Sequence, residues 1–470
     1  MRPSSSPSDR PASEGADSAT GGLFDGVLAR GRVRDAVDDR AWLQAMLDVE
    51  AALARAEARA GLLPAEHAEA IARACRADAF DLAALGRDAA SGGNPVIPLV
   101  RALTDAVPGP AAASVHTGAT SQDILDSAAM LVAHRALGPL LDDLAGAATA
   151  AADLAAAHRA TVLAGRTLLQ QALPVTFGLK AAGWLVALDE ATARLEEIRR
   201  TRLAVQLGGA AGTLASLGNA GTEVLAGLAS ELGLAEPVLP WHTLRTRVAD
   251  LAAALGAAGG VAGKVARDVV LLAQTEVAEV REGGPVGRGG SSTLPHKRNP
   301  VAAVAALACA EQAPGLVATL LAAMVQEHER AAGAWHAEWR PFTDLLRATG
   351  SAAAWLRDCL EHLEVDTDRM RRNLDLTGGL LLAERVTTAL APSLGRLEAH
   401  ELVQRATAEA VDSQRPFAEV LYHQPKVSDL LDQEEIGRLL DPAGYLGSAE
   451  AFIDRALEAH AETGRPSGPS

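Results

Sequence analysis

The chain has 470 residues and a formal net charge of −16, and aromatic residues make up only 3% of it. Because it has no extended Lys/Arg tract and few aromatic side chains, we expect neither nucleic acid nor an anionic membrane surface as its main partner. Cys75, Cys309 and Cys359 lie far apart and show no metal or redox spacing, which indicates a reduced, cytoplasmic location.

The N-terminal part of the chain changes from a polar tail to helical patterning. Residues 1–22 are rich in Ser, Pro, Asp and Gly and contain no apolar run, so we expect a disordered tail rather than a signal peptide or an anchor. Apolar residues then recur at helical spacing from Arg40 to Ala60 and again from Pro64 to Cys75. These segments predict an N-terminal helical domain over residues 23–112.

Long segments rich in Ala and Leu dominate the middle of the chain. The predicted helices begin near Ser121, Thr167, Arg245 and Pro300. Several helices of roughly 30 residues, at about 1.5 Å per residue, predict a long bundle over residues 113–360. Shorter helices follow in a C-terminal domain over residues 361–462, and residues 463–470 form a second tail. The predicted fold class is all-α, and the broad apolar helix faces favour self-association.

The first candidate binding segment covers residues 116–123, His-Thr-Gly-Ala-Thr-Ser-Gln-Asp, at the start of a long helix. Thr120 or Ser121 can cap this helix, and its free N–H groups and positive dipole end suit a carboxylate. Capping alone does not account for His116 and Gln122 beside the cap. We therefore include all four residues in the predicted substrate site.

A second segment, residues 165–178, reads Gly-Arg-Thr-Leu-Leu-Gln-Gln-Ala-Leu-Pro-Val-Thr-Phe-Gly. Arg166 and Gln170 are predicted to bind a carboxylate of the substrate, although an Arg at a helix start is often only a surface donor.

The most informative segment is the glycine-rich loop over residues 283–300, which contains the sequence Gly-Gly-Ser-Ser-Thr-Leu-Pro-His-Lys-Arg-Asn-Pro. Its glycines allow the loop to open and close, and Lys297, Arg298 and Asn299 supply donors for an anion. Such a positive cluster on an acidic chain predicts a small anionic substrate, with Ser291 or Ser292 brought onto it by closure.

Several other sites are excluded by the sequence. It contains no His-Glu-x-x-His, Cys-x-x-Cys, phosphate-loop or dinucleotide pattern, so we predict neither a metal nor a cofactor. The longest uncharged stretch, Leu203 to Thr222, is broken by glycines and polar residues, so no membrane span is expected there.

The loop resembles the signature of the fumarase/aspartase superfamily, Gly-Ser-Ser-x-Met-Pro-x-Lys-x-Asn-Pro, with Leu294 in place of Met. This resemblance implies that Ser291 is the catalytic base, acting as an alkoxide, and that Lys297 and Asn299 bind a substrate carboxylate. It also implies a three-domain fold whose long central helices form the core of a homotetramer. Each active site would then be built from three subunits.

The two other segments place the chain within the superfamily. Residues 116–123 resemble a motif shared by adenylosuccinate lyases and 3-carboxy-cis,cis-muconate cycloisomerases, which implies that Thr120, Ser121 and Gln122 bind substrate. In the second segment, Leu168 replaces the general-acid His of adenylosuccinate lyases, and Gln171 replaces the His typical of the cycloisomerase branch. Both family histidines are therefore missing.

Two further segments, Pro240 to Arg245 and Trp335 to Trp339, also look like the cycloisomerase branch. His242 and Arg245 are interpreted as substrate groups or as their neighbours. For His336 and Glu338, a role in the site and a role at a packed helix surface remain equally open.

The superfamily chemistry removes a proton beside a carboxylate, forms a carboxylate-stabilised carbanion and expels a group from the next carbon. We first favour a cofactor-independent lyase that releases nitrous acid from 2-nitrosuccinate to give fumarate, because nitrite needs a donor such as Arg298 more than a general acid. The alternative is a lactonising 3-carboxy-cis,cis-muconate cycloisomerase. Either enzyme acts on a small di- or tricarboxylate. A non-catalytic, crystallin-like tetramer is disfavoured because Ser291, Lys297 and Asn299 are all retained.

Overall fold

The computed structural model describes residues 22–285 and 287–463, and within these residues the fold is all-α with two short two-stranded antiparallel sheets. The predicted tails lie outside the described residues, apart from Gly22 and Thr463 at their inner ends. The N-terminal helices are α1 (Asp25–Leu28), α2 (Arg32–Ala36), α3 (Asp39–Arg59), α4 (Ala65–Ala74), α5 (Leu82–Gly92) and α6 (Val96–Ala106). The periodicity of the two segments from Arg40 to Cys75 thus predicted α3 and α4 to within a residue at each end.

The middle of the chain contains the long helices, together with all four strands. The helices are α7 (Ser121–Ala157), α8 (Phe177–Thr201), α9 (Gly221–Leu232), α10 (Thr246–Leu272), α11 (Val301–Ala310), α12 (Ala313–Ala322) and α13 (Ala334–Glu361). The strands are β1 (Val162–Thr167), β2 (Gln170–Thr176), β3 (Val280–Glu282) and β4 (Leu363–Val365). Strands β1 and β2 pair with each other, as do β3 and β4.

The helices of the C-terminal part are shorter. They are α14 (Thr367–Leu374), α15 (Ala383–Leu394), α16 (Arg396–Ser413), α17 (Phe417–Tyr422), α18 (Pro425–Ser428), α19 (Gln433–Leu439) and α20 (Ala449–Thr463). Residues between Val386 and Ile436 form a small apolar core of their own. Helix α20 returns to the large bundle core, where Ile453 is fully buried, and His460 lies 3.0 Å from Asp189 on α8.

The expectation of a long helix from about Thr167 is wrong, because residues 162–176 form a hairpin and α8 begins at Phe177. Two local features explain the difference. Leu168 and Leu169 adopt φ values of 52° and 65°, which closes a two-residue hairpin turn. Thr176 then accepts a hydrogen bond from the Leu179 amide at 3.1 Å and caps α8.

The helix expected from Pro300 is also shorter than predicted. It begins at Val301 but is split into α11 and α12 around Glu311 and Gln312. Pro314 lies in the first turn of α12, where its missing N–H is tolerated, whereas inside a continuous helix it would remove a hydrogen bond.

Helices α7 and α13 run side by side in the same direction. Near their N-terminal ends, the Trp335 indole donates to Asp126 at 3.0 Å, and near their C-terminal ends Arg357 reaches Asp143 at 3.5 Å. Three apolar segments of the bundle, α7, α10 and residues 301–322, are long and apolar enough to cross a membrane by length and composition. The apolar windows of α7 and α10 are 72% and 61% buried within the chain, whereas that of residues 301–322 is 39% buried.

Candidate active site

The predicted site at the start of α7 is organised by Asp123, a buried carboxylate. It accepts hydrogen bonds from the backbone amides of Thr120, Gly208 and Gly209, each at 2.9 Å. His242 donates to it through Nε2 at 2.7 Å. Asp123 therefore holds the N-terminal cap of α7 against two loops that are distant in sequence. His242 is buried and helps to hold Asp123 in place, so it is not an exposed substrate-binding group.

Gln122 is buried, and its amide is used within the chain. Its nitrogen donates to the His242 carbonyl at 2.8 Å and to Asp126 at 3.1 Å. Its oxygen accepts a 3.3 Å hydrogen bond from Arg330, which also donates to the Thr120 hydroxyl at 3.3 Å. The substrate-binding role of Gln122 stays a prediction, and Ser121 beside it remains partly exposed.

Arg330 was missed by sequence reasoning, although the structure places its guanidinium beside Thr120. The available signal was the polar run Gln-Glu-His-Glu-Arg at residues 326–330, directly after an apolar helix. Its three contacts, with the Gln122 side chain, the Thr120 hydroxyl and the Gly209 carbonyl, are 3.3–3.4 Å long, at the long end of the range for hydrogen bonds.

Behind this end lies a buried ion network centred on Arg245, which is 3% exposed. It donates two hydrogen bonds to Asp126, at 2.7 and 3.0 Å, and three to Glu338, at 2.6–3.1 Å. Burial lowers the pKa of Arg245, but the two carboxylates outweigh it and the pKa is raised. Burial raises the pKa of Glu338 despite its contact with Arg245. Glu338 is thus a packed, satisfied residue, whereas His336 is exposed.

In the hairpin, Arg166 is already bound to a carboxylate of its own chain. Its two terminal nitrogens contact Glu279 at 2.9 and 2.7 Å, and Glu279 is fully buried. Asn373 donates a further 2.8 Å hydrogen bond to Glu279. In this structure, the carboxylate that Arg166 binds therefore belongs to Glu279. Binding of a substrate carboxylate by the Arg166 guanidinium stays a prediction.

The neighbouring glutamines differ in exposure. Gln170 is exposed at the start of β2. Gln171 donates to the Asn373 carbonyl at 2.8 Å, but its buried side-chain oxygen has no hydrogen-bond partner among the described residues. At the hairpin tip, Leu168 and Leu169 are 97% and 74% exposed. An apolar tip of this kind is typical of a surface that another chain covers.

In the glycine-rich loop, Ser291 receives two backbone hydrogen bonds. Its hydroxyl oxygen accepts the N–H of Thr293 at 3.2 Å and that of Leu294 at 3.1 Å. Two N–H groups aimed at one oxygen stabilise negative charge on it. The predicted alkoxide at Ser291 thus has a local electrostatic reason, which the neighbouring Ser292 lacks among the described contacts.

The two ends of the loop tip are held together by Asn299. Its backbone N–H and its side-chain amide both donate to the Gly289 carbonyl, at 2.8 and 3.1 Å. Gly289 has a φ of 73°, and a Cβ there would lie 2.4 Å from the Asn299 carbonyl oxygen, so a glycine is required. In this form of the loop, the Asn299 amide serves the loop itself, and its predicted contact with substrate remains untested.

The cations of the loop, by contrast, are free. Lys297 and Arg298 are exposed, and neither forms an ion pair within the part of the chain that the structure describes. The loop is anchored instead through Arg288, which binds Asp358 at 2.9 and 2.7 Å, and through Glu282, whose carboxylate accepts the first N–H groups of α11. Anchored ends and unpaired cations are suited to binding an anion.

Within one chain, the start of α7 lies far from the hairpin and from the loop. Helix α7 has 37 residues, so its N-terminal site and the hairpin that follows its other end are separated by roughly 55 Å. The same N-terminal site contacts Trp335, whereas the loop contacts Asp358, roughly 35 Å further along α13. A single chain therefore does not bring the predicted residues together in one site.

Comparisons with known proteins cover almost the whole chain. A family model described as lyase matches residues 28–315, and one described as adenylosuccinate lyase C-terminus matches residues 379–456. The 3-carboxy-cis,cis-muconate cycloisomerase of Pseudomonas aeruginosa is 51% identical over 93% of this chain and 96% of that protein. The nitrosuccinate lyase of Streptomyces davaonensis is 48% identical over 93% of this chain and 94% of that protein.

A solved structure agrees with these relatives. The crystal structure of the 3-carboxy-cis,cis-muconate lactonizing enzyme from Pseudomonas putida matches with a TM-score of 0.88 and 46% identity, covering 94% of this chain and 99% of that one. The resemblance drawn from the loop signature and the all-α fold are thereby confirmed. The chain belongs to the lyase family of the fumarase/aspartase superfamily.

Proposed function

We propose that the chain is a 3-carboxy-cis,cis-muconate cycloisomerase that closes a lactone without a cofactor. The relatives favour this activity over the nitrosuccinate lyase that the sequence first suggested, because the cycloisomerase of Pseudomonas aeruginosa is the more similar of the two and the matching solved structure carries the lactonizing name. The absence of both family histidines therefore does not exclude the cycloisomerase. Lactone formation also uses a stable carboxylate, which needs little acid assistance in the reverse reaction.

The observation that supports the chemistry best is the pair of N–H groups on the Ser291 oxygen. During lactone formation, a substrate carboxylate oxygen bonds to one alkene carbon, and the electron pair of the double bond moves to the carbon beside another carboxylate. Ser291 then transfers its proton to that carbon, is left as an alkoxide, and regains a proton from solvent before the next turnover. In reverse, the alkoxide removes the same proton. Thr293 and Leu294 stabilise the alkoxide in both directions.

Binding of the substrate carboxylates is assigned to groups from different segments. Lys297 and Arg298 provide free positive charge on the loop, and the start of α7 provides Thr120, Ser121 and the helix dipole. Because these groups are roughly 35 Å apart in one chain, the proposal requires that different subunits supply them.

A homotetramer with shared active sites fits these distances. The exposed Leu168 and Leu169 and the largely uncovered segment of residues 301–322 give each chain apolar surface for such contacts. A cytoplasmic location belongs to the same proposal, in keeping with three buried, unbridged cysteines.

Nitrosuccinate lyase remains the second candidate function. The observation in its favour is the exposed, unpaired guanidinium of Arg298, which can donate two parallel hydrogen bonds to a departing nitrite, together with an amide at Gln171 where an imidazole is expected.

The decisive experiment gives the purified enzyme each substrate in turn. We expect rapid loss of 3-carboxy-cis,cis-muconate absorbance with formation of its lactone, and little nitrite from 2-nitrosuccinate. Efficient release of fumarate and nitrite in equal amounts, with no lactone formed, would reverse the assignment. Chelator-treated enzyme serves as the control for adventitious metal.

A further inference from the structure

His116 occupies a strained turn just before α7, and one edge of its ring is fixed. Its φ is 60°, in the left-handed region that residues other than glycine rarely adopt. Nδ1 donates a 2.7 Å hydrogen bond to Glu50, which is buried on α3. The His116 side chain is 18% exposed, and Nε2 has no hydrogen-bond partner within residues 22–285 and 287–463. The ring is therefore held from behind and presents a free nitrogen.

The charges around His116 favour its protonated form. Burial lowers the pKa of His116, but the hydrogen bond and charge of Glu50, with a smaller contribution from Asp123, outweigh it and raise the pKa. The other charged groups near this end are already engaged, because His242 binds Asp123 and Arg330 binds Thr120. Glu50 is thus the partner that sets the charge on the ring.

A cationic donor at the start of α7 replaces donor groups of the hairpin and of α7 that are missing or already engaged. The family's imidazole positions hold Leu168 and Gln171, the guanidinium of Arg166 is occupied by Glu279, and the Gln122 amide is used internally. The helix dipole at the start of α7 attracts a carboxylate, and an imidazolium beside it adds a directed, charge-assisted hydrogen bond.

We propose that Glu50 is a positioning residue that orients the His116 ring and maintains its charge, so that Nε2 donates to a substrate carboxylate at the start of α7. This inference rests on the proposed function only in requiring a carboxylate substrate. It adds a residue from α3, distant in sequence from every segment that resembles the family motifs.

Binding of succinate tests the proposal without any turnover. Calorimetry on the intact oligomer measures the dissociation constant from pH 6 to pH 8 for the unmodified protein, Glu50→Gln, Glu50→Asp and His116→Asn. We expect succinate binding to weaken as the pH rises and His116 loses its proton. Glu50→Gln should move this transition down by at least about one pH unit and weaken binding about tenfold at pH 7. Glu50→Asp should restore part of the loss, and His116→Asn should remove the transition.

Glu57→Gln is the matched control, since Glu57 is also buried on α3, seven residues further along. Because its pKa is raised to about 8, Glu57 is uncharged between pH 6 and pH 7, and over that range the binding curve of Glu57→Gln should equal that of the unmodified protein. If Glu50→Gln does not fold, His116→Asn still decides the question, because it changes a partly exposed turn and Asn tolerates a positive φ.

An unchanged transition in Glu50→Gln or in His116→Asn would overturn the proposal, as would the absence of any succinate binding by the unmodified protein. The proposed function fails separately, through the absence of lactone formation in an enzyme that still binds succinate in this way.

Discussion

Glu57 on α3 is a buried acid whose environment predicts a measurable dependence of stability on pH. Glu57 is fully buried, and neither of its carboxyl oxygens has a hydrogen-bond partner among the described residues. Burial, and to a lesser degree the charge of Glu50, raise its pKa from 4.5 to about 8. At neutral pH the folded protein therefore holds this carboxyl protonated, whereas the unfolded chain ionises it.

The size and sign of the effect follow from proton linkage. Each pH unit between the two pKa values changes the free energy of unfolding by about 1.4 kcal/mol, so the penalty at pH 7 reaches roughly 3 kcal/mol as an upper estimate. The penalty is absent below the unfolded pKa, grows as the pH rises and levels off near pH 8. Glutamine has a similar shape and does not titrate, so Glu57→Gln should be more stable than the unmodified protein by about 3 kcal/mol at pH 7 and about 4 kcal/mol at pH 8, and nearly equal to it near pH 4.5.

Urea denaturation at pH 5, 6, 7 and 8 tests this, with one protein concentration throughout because unfolding of an oligomer depends on concentration. Glu196→Gln, an exposed position on α8, is the control and should show no widening gap. The reasoning is refuted if the advantage of Glu57→Gln does not grow with pH, or if the variant is the less stable protein at pH 8.

Three further predictions concern the site. Ser291→Ala should reduce turnover at least about a thousandfold without loss of the oligomer, as measured by steady-state kinetics and light scattering, and near-normal turnover would move the base to Ser292. If subunits share sites, inactive Ser291→Ala mixed with inactive Ser121→Ala should regain up to about a quarter of full activity after subunit exchange, and no regain would place each site within one chain. Arg298→Lys should impair any nitrite release more than lactone formation, since an ammonium lacks the planar fork, and an equal loss in both assays would contradict this.

Much of the fold was accessible from the sequence because helix periodicity is a local signal. Apolar spacing predicted both ends of α3 and α4 to within a residue, and it predicted where α7 and α10 begin. The β1–β2 hairpin was not predicted, because its turn is formed by Leu168 and Leu169 rather than by the Asn or Gly usual at positive φ.

The sequence singled out the residues of the candidate site, but it did not show most of the hydrogen bonds that these residues form within the chain. The loop signature singled out Ser291, Lys297 and Asn299, but no spacing could show that Thr293 and Leu294 donate to the serine oxygen. Likewise, the carboxylate bound to Arg166 comes from Glu279, more than a hundred residues away in the sequence. Glu50 was missed for the same reason, since on α3 it looks like one more acid on a helix.

The distribution of rigid contacts explains how separated segments can form a precise site. Asp123 fixes the start of α7, Glu279 fixes the hairpin and Asp358 fixes the base of the loop, each through several short hydrogen bonds. In the proposed homotetramer, association of subunits would align surfaces that these contacts already hold in place, rather than fold them. The long helices then act as spacers that set the distances between these surfaces. In the proposed mechanism, the substrate drives closure of the loop carrying Ser291, because a bound anion neutralises the exposed cations of that loop.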